Sequence, residues 1–176
     1  MTPNQLSACT GSTLKRAEEW LPHIQAAFDE FLIVTPLQQA AFLAQAGHET
    51  GGLKWIREIW GPTKAQMGYE GRLDLGNTEP GDGHKFMGRG LFQVTGRFNY
   101  MAVSKCLKVD LIHNPELLEE PHMAARSAGL YWKDKKLNQL ASAGKFREIT
   151  KKINGGLNGY DNRLKLYNAA KLALNA

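Results

Sequence analysis

Glu49 and Glu58 stand nine residues apart and supply the two carboxyls that acid–base hydrolysis requires. Cleavage of a glycosidic bond needs one protonated carboxyl to donate to the leaving oxygen. It needs a second, ionised one to activate water or attack carbon. Apolar surroundings disfavour ionisation, so a carboxyl set among them is held protonated near neutral pH. The first glutamate closes the apolar run AFLAQAGHE, and the second lies in LKWIREIW, among Trp and Ile. The pair alone is a weak signal, because two glutamates at this spacing are more often surface residues in ordinary ion pairs.

The segment GDGHKFMGRGLFQVTGRFNY, residues 81–100, is more specific. Its glycines, Gly81, Gly83, Gly88 and Gly90, allow tight turns and a close approach of backbone to ligand. Between and after them Arg89, Gln93, Thr95, Asn99 and Tyr100 can hydrogen-bond sugar hydroxyls. A phosphate cradle is the rival reading, but no GxxxxGK[ST] run is present. Trp55, Trp60, Tyr69 and Phe86 flank these residues in sequence and could stack on sugar rings, although each alone is more often a core residue. Tyr131 and Trp132 read as core. His48 precedes Glu49 in HETGG, which lacks the second histidine of a zinc-binding HExxH, and no other histidine has ligand spacing. The expectation is no metal and no cofactor, with His48 a hydrogen-bonded scaffold residue beside Glu49.

These groups must be placed by the elements around them. Leu14, Ala17, Leu21, Ile24 and Phe28 recur at helical spacing, with Pro22 expected to kink or divide the helix. Thr35-Pro36 is an N-cap followed by proline at the first helical position. The helix it opens carries Leu37, Ala41, Ala44 and His48 on one face and ends at Thr50-Gly51-Gly52. Glu49 therefore sits in a last turn, where a carboxylate opposes the macrodipole; such a locally poor choice often marks function. Residues 60–90 read as loops and short strands, and FQVTGRFNYMAVSKCL as a strand or turn leading into a helix. Asn114-Pro115 and Pro121 open further helical segments. Phe146, Ile149 and Ile153 lie at helical spacing before the break INGGLNG. A last helix near 160–174 has Leu164, Tyr167, Ala170 and Leu174 in register.

A chain of 176 residues fits one domain with room for two lobes. Cys9 and Cys106 form no CxxC pattern and read as idle thiols. The opening residues lack a basic region followed by an apolar one, so no conventional secretory signal is expected, and no apolar run is long enough for a membrane span. The net charge of +5 is uneven: residues 1–88 hold 7 basic and 10 acidic residues, residues 89–176 hold 15 and 7. A basic half suits nucleic acid, anionic lipid or an acidic cell wall, or is simply a solvated surface.

Taken in order, AFLAQAGHETGG, GRGLFQVTGRFNY and KKINGGLNGYDNR resemble the three signature blocks of glycoside hydrolase family 19, which includes plant and bacterial chitinases and bacteriophage endolysins. The resemblance runs from about residue 35 to the end of the chain, with the spacing of the compact phage and bacterial members. It implies an inverting mechanism with Glu49 as general acid and Glu58 as general base, their carboxyls about 6.5–9.5 Å apart so that a water fits. Plant members carry the second glutamate much further on, so Glu70 and Glu79 stand as alternatives to Glu58. Compact members carry it in the short segment after HExGG, which favours Glu58. The resemblance also implies that Thr95 holds the attacking water. Gln93, Asn99, Asn154 and Arg163 match sugar-binding positions, with Tyr69 and Arg89 completing the expected substrate-binding set. The fold implied is mainly α, a lysozyme-like two-lobed fold with a small loop and strand insertion flanking a substrate cleft. Residues 1–176 would form a single catalytic domain without a separate wall-binding domain.

The function expected is that of an endolysin hydrolysing the β-1,4 bonds of peptidoglycan glycan strands as a muramidase, for host cell lysis. Such an enzyme would act as a monomer, gather in the host bacterial cytoplasm and reach the periplasm and wall once a holin opens the membrane. It would insert stably in no membrane and bind no nucleic acid, since no recognised binding motif accompanies the basicity. The alternatives are a chitinase cleaving β-1,4 N-acetylglucosamine polymers and a non-catalytic wall-binding protein. The intact Glu49, Glu58 and Thr95 speak against the last.

Overall fold

The structure, a computed structural model, describes residues 1–176. In chain order the helices are α1 (Pro3–Thr10), α2 (Leu14–Glu30), α3 (Pro36–Glu49), α4 (Lys64–Met67), α5 (Asp82–Lys85), α6 (Arg97–Leu107), α7 (Pro121–Asp134), α8 (Leu137–Ser142), α9 (Phe146–Asn154) and α10 (Tyr160–Leu174). Short 3-10 turns cover Leu73–Leu75 and Pro115–Glu119. No strand forms. The strands expected in the glycine-rich region are replaced by these short helices and by two isolated bridges, Arg57 with Arg89 and Arg89 with Val94. So many glycines and turns leave no stretch long enough to propagate a ladder. The chain forms two compact units, Met1–Trp55 with Ala128–Ala176, and Ile56–Ser127.

In the first unit α3 is the central element. All residues from Ala40 to Gly47 are buried, so its middle has no solvent face, unlike the single apolar stripe that the spacing suggests. The reason is that α1, α8 and α10 all pack on it, and a helix apolar all round belongs inside. Phe42 meets Phe28 and Trp132 edge-on, each with ring centroids 5.2 Å apart, while Phe146 stacks on Tyr167 at 4.1 Å. Pro22 lies inside α2, which runs on to Glu30 undivided. Helix α1 has little amphipathic pattern and goes unread by periodicity. It starts with Thr2-Pro3-Asn4-Gln5, the same capping box that opens α3 at Thr35 and Gln38; Thr63 and Gln66 repeat it at α4. Cys9 is buried in this unit, which pushes its thiol up to about 12, and Cys106 is exposed; neither is in a disulfide.

The second unit is held by polar ties across its loops. Asn77 is buried, donating to the Tyr69 carbonyl at 2.8 Å and accepting from the Arg97 backbone N–H at 2.9 Å. Asp82 receives both arms of Arg97, at 2.7 and 2.5 Å. Arg89 is buried and reaches Glu119, the Lys85 carbonyl and the Tyr100 hydroxyl at 2.8, 2.8 and 2.9 Å. Tyr100 in turn donates to the Met87 carbonyl at 2.7 Å, and burial pushes its phenol up to about 12.

Two predictions follow from this packing. In an open helix, Gly→Ala stabilises by roughly 0.5–1 kcal/mol. At Gly47 a Cβ would run into the Thr10 backbone, lying 2.7 Å from its Cα and closer still to its carbonyl oxygen. Gly47→Ala is expected to destabilise by about 1–3 kcal/mol instead, read as a lower urea midpoint. Burial would raise the Asp82 carboxyl, but the Arg97 hydrogen bonds and backbone donors outweigh it and hold it below the usual value of 3.8. A depressed carboxyl lends stability that is fully present above its unfolded value and lost as pH falls through the folded one. Wild type should therefore lose stability below about pH 4, and Asp82→Asn should flatten that limb of a stability-against-pH curve.

Candidate active site

Glu49 ends α3, and Thr50 closes the helix by donating its hydroxyl to the Ala46 carbonyl at 2.6 Å. One turn earlier, Gln45 is the polar interruption in an apolar run, and i,i+4 spacing puts it on the face of Glu49. Both point to Arg163 of α10, whose side chain is 1% exposed. Arg163 donates to Gln45 Oε1 at 2.5 Å and to the Asn158 carbonyl at 3.2 Å, and Gln45 donates onward to Thr150 of α9 at 2.8 Å. Arg163 Nη2 also lies 2.6 Å from Glu49 Oε1. That oxygen is buried and receives no directed hydrogen bond despite the short contact. The contact is an ion pair with a buried cation. The carboxyl's side chain is still 21% exposed.

Around this carboxyl, His48 Nδ1 lies 2.8 Å from Asn162 Oδ1, and its ring lies against Gly159, where a Cβ would overlap it. Asn154 caps the following turn by accepting from the Asn158 N–H at 3.2 Å. Tyr131 has its phenol raised by burial and, secondarily, by the negative charge of Glu49.

Glu58 lies in the other unit and is held by uncharged donors. Its Oε1 accepts from Gln66 Nε2 at 3.1 Å and the Tyr69 hydroxyl at 3.3 Å, and its Oε2 accepts from the Gly88 N–H at 3.1 Å. Burial, then the Glu58 charge and hydrogen bond, raise the Tyr69 phenol. Gly88 is the corner of this half-site. A Cβ there would lie 2.5 Å from Gln93 Oε1 and 3.2 Å from Thr95 Oγ1, so only glycine leaves that space open. Thr95 donates its hydroxyl to the Gln93 carbonyl at 3.0 Å, and Asn99 braces the turn through the Thr95 carbonyl at 2.7 Å. Gln93 itself adopts a positive φ of 50°. Trp60 stands beside Tyr69, ring centroids 6.3 Å apart, and is half-buried.

The structure thus gathers Glu58, Tyr69, Gln93, Thr95 and Asn99 about Gly88, and Glu49 with Arg163 at the end of α3. It places Arg89 and Tyr100 in the interior of their unit, where their polar atoms already serve the protein rather than a sugar. Arg163 likewise faces Glu49 from within. Phe86 is buried, while Trp55 is exposed. Glu70 braces the α5 turn by accepting from the Gly81 and Gly83 N–H groups at 2.6 and 2.9 Å. Glu79 is exposed at the same turn. Gln45 and Gln66 escape motif reading, and Tyr131, read as core, lies beside the Glu49 carboxyl's charge. The two glutamines had a legible signal: Gln45 as the lone polar residue of its run, Gln66 as the third position of a Thr-x-x-Gln cap.

Comparison with known proteins points the chain to one family. The model of the family described as chitinase class I, Glyco_hydro_19, matches residues 34–145, a stretch that includes Glu49, Glu58 and Thr95. A Haemophilus influenzae protein described as containing a glycosyl hydrolase family 19 domain is 36% identical over 173 residues, covering 83% of this chain and 84% of its own. An endochitinase from Pisum sativum is 33% identical over 157 residues, covering 71% of this chain; the chain spans 48% of that protein, about half its length. Among solved structures, a bacterial family 19 chitinase has a TM-score of 0.75 at 24% identity, over 99% of this chain and 95% of its own. Chitinase C of Streptomyces griseus has 0.74 at 24%, over 99% and 76%. At that identity the two structures speak for the fold, which is the mainly helical one of family 19 chitinases. The sequence matches go further: the chain belongs to glycoside hydrolase family 19.

Proposed function

We propose that the chain is an endolysin that hydrolyses the β-1,4 bonds of bacterial peptidoglycan by an inverting, two-carboxylate mechanism. The observation that carries this reading is that Gly88 donates its N–H to Glu58 Oε2 at 3.1 Å while the space beside its Cα opens toward Thr95 Oγ1. The Thr95 hydroxyl hydrogen is given to the Gln93 carbonyl, so its oxygen offers lone pairs. A water beside it can give one hydrogen to Thr95 and the other to Glu58, which turns the water's own lone pair toward an anomeric carbon. Thr95 then orients and Glu58 takes the proton. Glu49 supplies the acid. Because Arg163 lies against Oε1, Oε2 is the oxygen left to pass a proton to the leaving oxygen.

Residues 128–176 favour peptidoglycan as the polymer. They hold ten basic and three acidic residues, a charge that suits an anionic wall, whereas chitin is neutral. In this proposal the enzyme works as a monomer, gathers in the host bacterial cytoplasm and reaches the wall through a holin lesion. The second reading, cleavage of N-acetylglucosamine polymers, is supported by the plant relatives described as endochitinases.

Release of new reducing ends from purified peptidoglycan and from chitin hexasaccharide separates the readings. Wild type should release them from peptidoglycan, and Glu49→Gln should fall by about 10²-fold or more with its fold intact. Cleavage of chitin alone would transfer the proposal to the second reading, and an active Glu49→Gln would remove Glu49 from the mechanism. Thr95→Ala should lower kcat by roughly 10- to 100-fold while KM moves little; a change in KM alone would assign Thr95 to sugar binding.

A further inference from the structure

Some of the basic side chains of residues 128–176 are tied to the network that holds Glu49. Thr150 belongs to the Glu49 network through Gln45 and Arg163, and the next two residues of α9, Lys151 and Lys152, are exposed. The buried side of α9 is Phe146, Ile149 and Thr150, so its outer side carries Arg147, Lys151 and Lys152 with Glu148 as the sole acid. From α7, the Tyr131 hydroxyl donates to the Lys152 carbonyl at 2.7 Å. Lys135 brings its ammonium 5.7 Å from the centre of the Tyr131 ring. Tyr131 is itself near enough to Glu49 to feel its charge. Lys135 and Lys152 therefore flank Tyr131, and Lys151 and Lys152 directly follow Thr150 of the Glu49 network.

These lysines form no ion pairs, although Lys145 pairs with Glu148 at 3.4 Å. Met1–Trp55, the rest of the same unit, holds three basic and five acidic residues. The exposed cations Lys135, Lys151 and Lys152 are thus tied through Tyr131 and Thr150 to the Glu49 network and have no carboxylate paired to them. N-acetylglucosamine polymers carry no anionic group. In peptidoglycan every second sugar bears a lactyl group, which ends in a carboxylate or continues into a peptide with carboxylates of its own.

We propose that Lys135, Lys151 and Lys152 form a carboxylate-binding patch beside Glu49 that recognises the lactyl or stem-peptide carboxylates of peptidoglycan. This rests on the peptidoglycan reading above and names the residues that would select that polymer over chitin. Surface ion pairs contribute at most about 1 kcal/mol each and are screened by salt, so the selection is a matter of several-fold preference.

The test is kcat/KM of wild type, Lys135→Gln/Lys152→Gln and Lys135→Arg/Lys152→Arg on peptidoglycan, on glycan strands stripped of stem peptides by an amidase, and on chitin hexasaccharide. The Gln pair should lower the peptidoglycan-to-chitin ratio roughly five- to tenfold, mostly through KM. The Arg pair should keep the ratio, and high salt should erase the difference. An equal fall on stripped strands assigns the ligand to the lactyl carboxylate, and a fall confined to intact peptidoglycan assigns it to the stem peptide. A ratio that moves less than twofold overturns the patch while leaving the peptidoglycan reading in place. If the Gln pair instead loses only binding to vesicles of anionic phospholipid, the patch belongs to a lipid surface and the proposal fails. A wild type that releases no reducing ends from peptidoglycan overturns both.

Discussion

A guanidinium taken out of water must be surrounded by acceptors, and Arg163 is such a group. Its partners come from three places: Glu49 and Gln45 on α3, Thr150 on α9 by way of Gln45, and the Asn158 carbonyl in the turn before α10. Removing any one would leave buried charge or a buried polar atom unmatched. The arrangement therefore fixes the register of α9 and α10 against α3 and presents Glu49 at the end of a helix where its charge is locally unfavourable. The cation compensates the macrodipole that the helix end supplies.

The two carboxyls are treated in opposite ways. Glu49 has a buried cation and no directed bond on Oε1. Glu58 has three uncharged donors, one of them a backbone N–H, and no cation. Charge sets the environment of the first, and directed geometry sets the second. Directed donors suit a group that must hold a water in one orientation, since they fix the carboxylate's plane. Gln66 does two jobs at once: its Oε1 caps α4 and the Gly61 N–H, and its Nε2 holds Glu58. The cap that starts a four-residue helix is also what aims the candidate base.

Much was legible in the sequence because the signals were local. The Thr35 cap, the Gly51-Gly52 stop and hence the last-turn position of Glu49 depend on residues a few places apart. So do the registers of α9 and α10, in which Phe146, Ile149, Tyr167 and Ala170 are buried as their spacing implies. The misreadings came where tertiary contact overrides local preference. The middle of α3 has no exposed face because other helices enclose it. The glycine-rich region folds as short helices, because its polar ties run to Arg97 and Asn77 rather than along a ladder.

The sequence by itself determined the family, the mainly helical class and the candidate residues Glu49, Glu58 and Thr95, since each is carried by block motifs and by spacing along one chain. Only the tertiary structure decided what those residues touch. That Arg163 and Arg89 face inward, that Gln45 links Glu49 to α9, and that Gly88 holds Glu58 by its N–H beside the Thr95 turn are outcomes of burial. A polar group removed from water takes whichever partner the packed helices and turns bring within reach, and sequence separation says nothing of that.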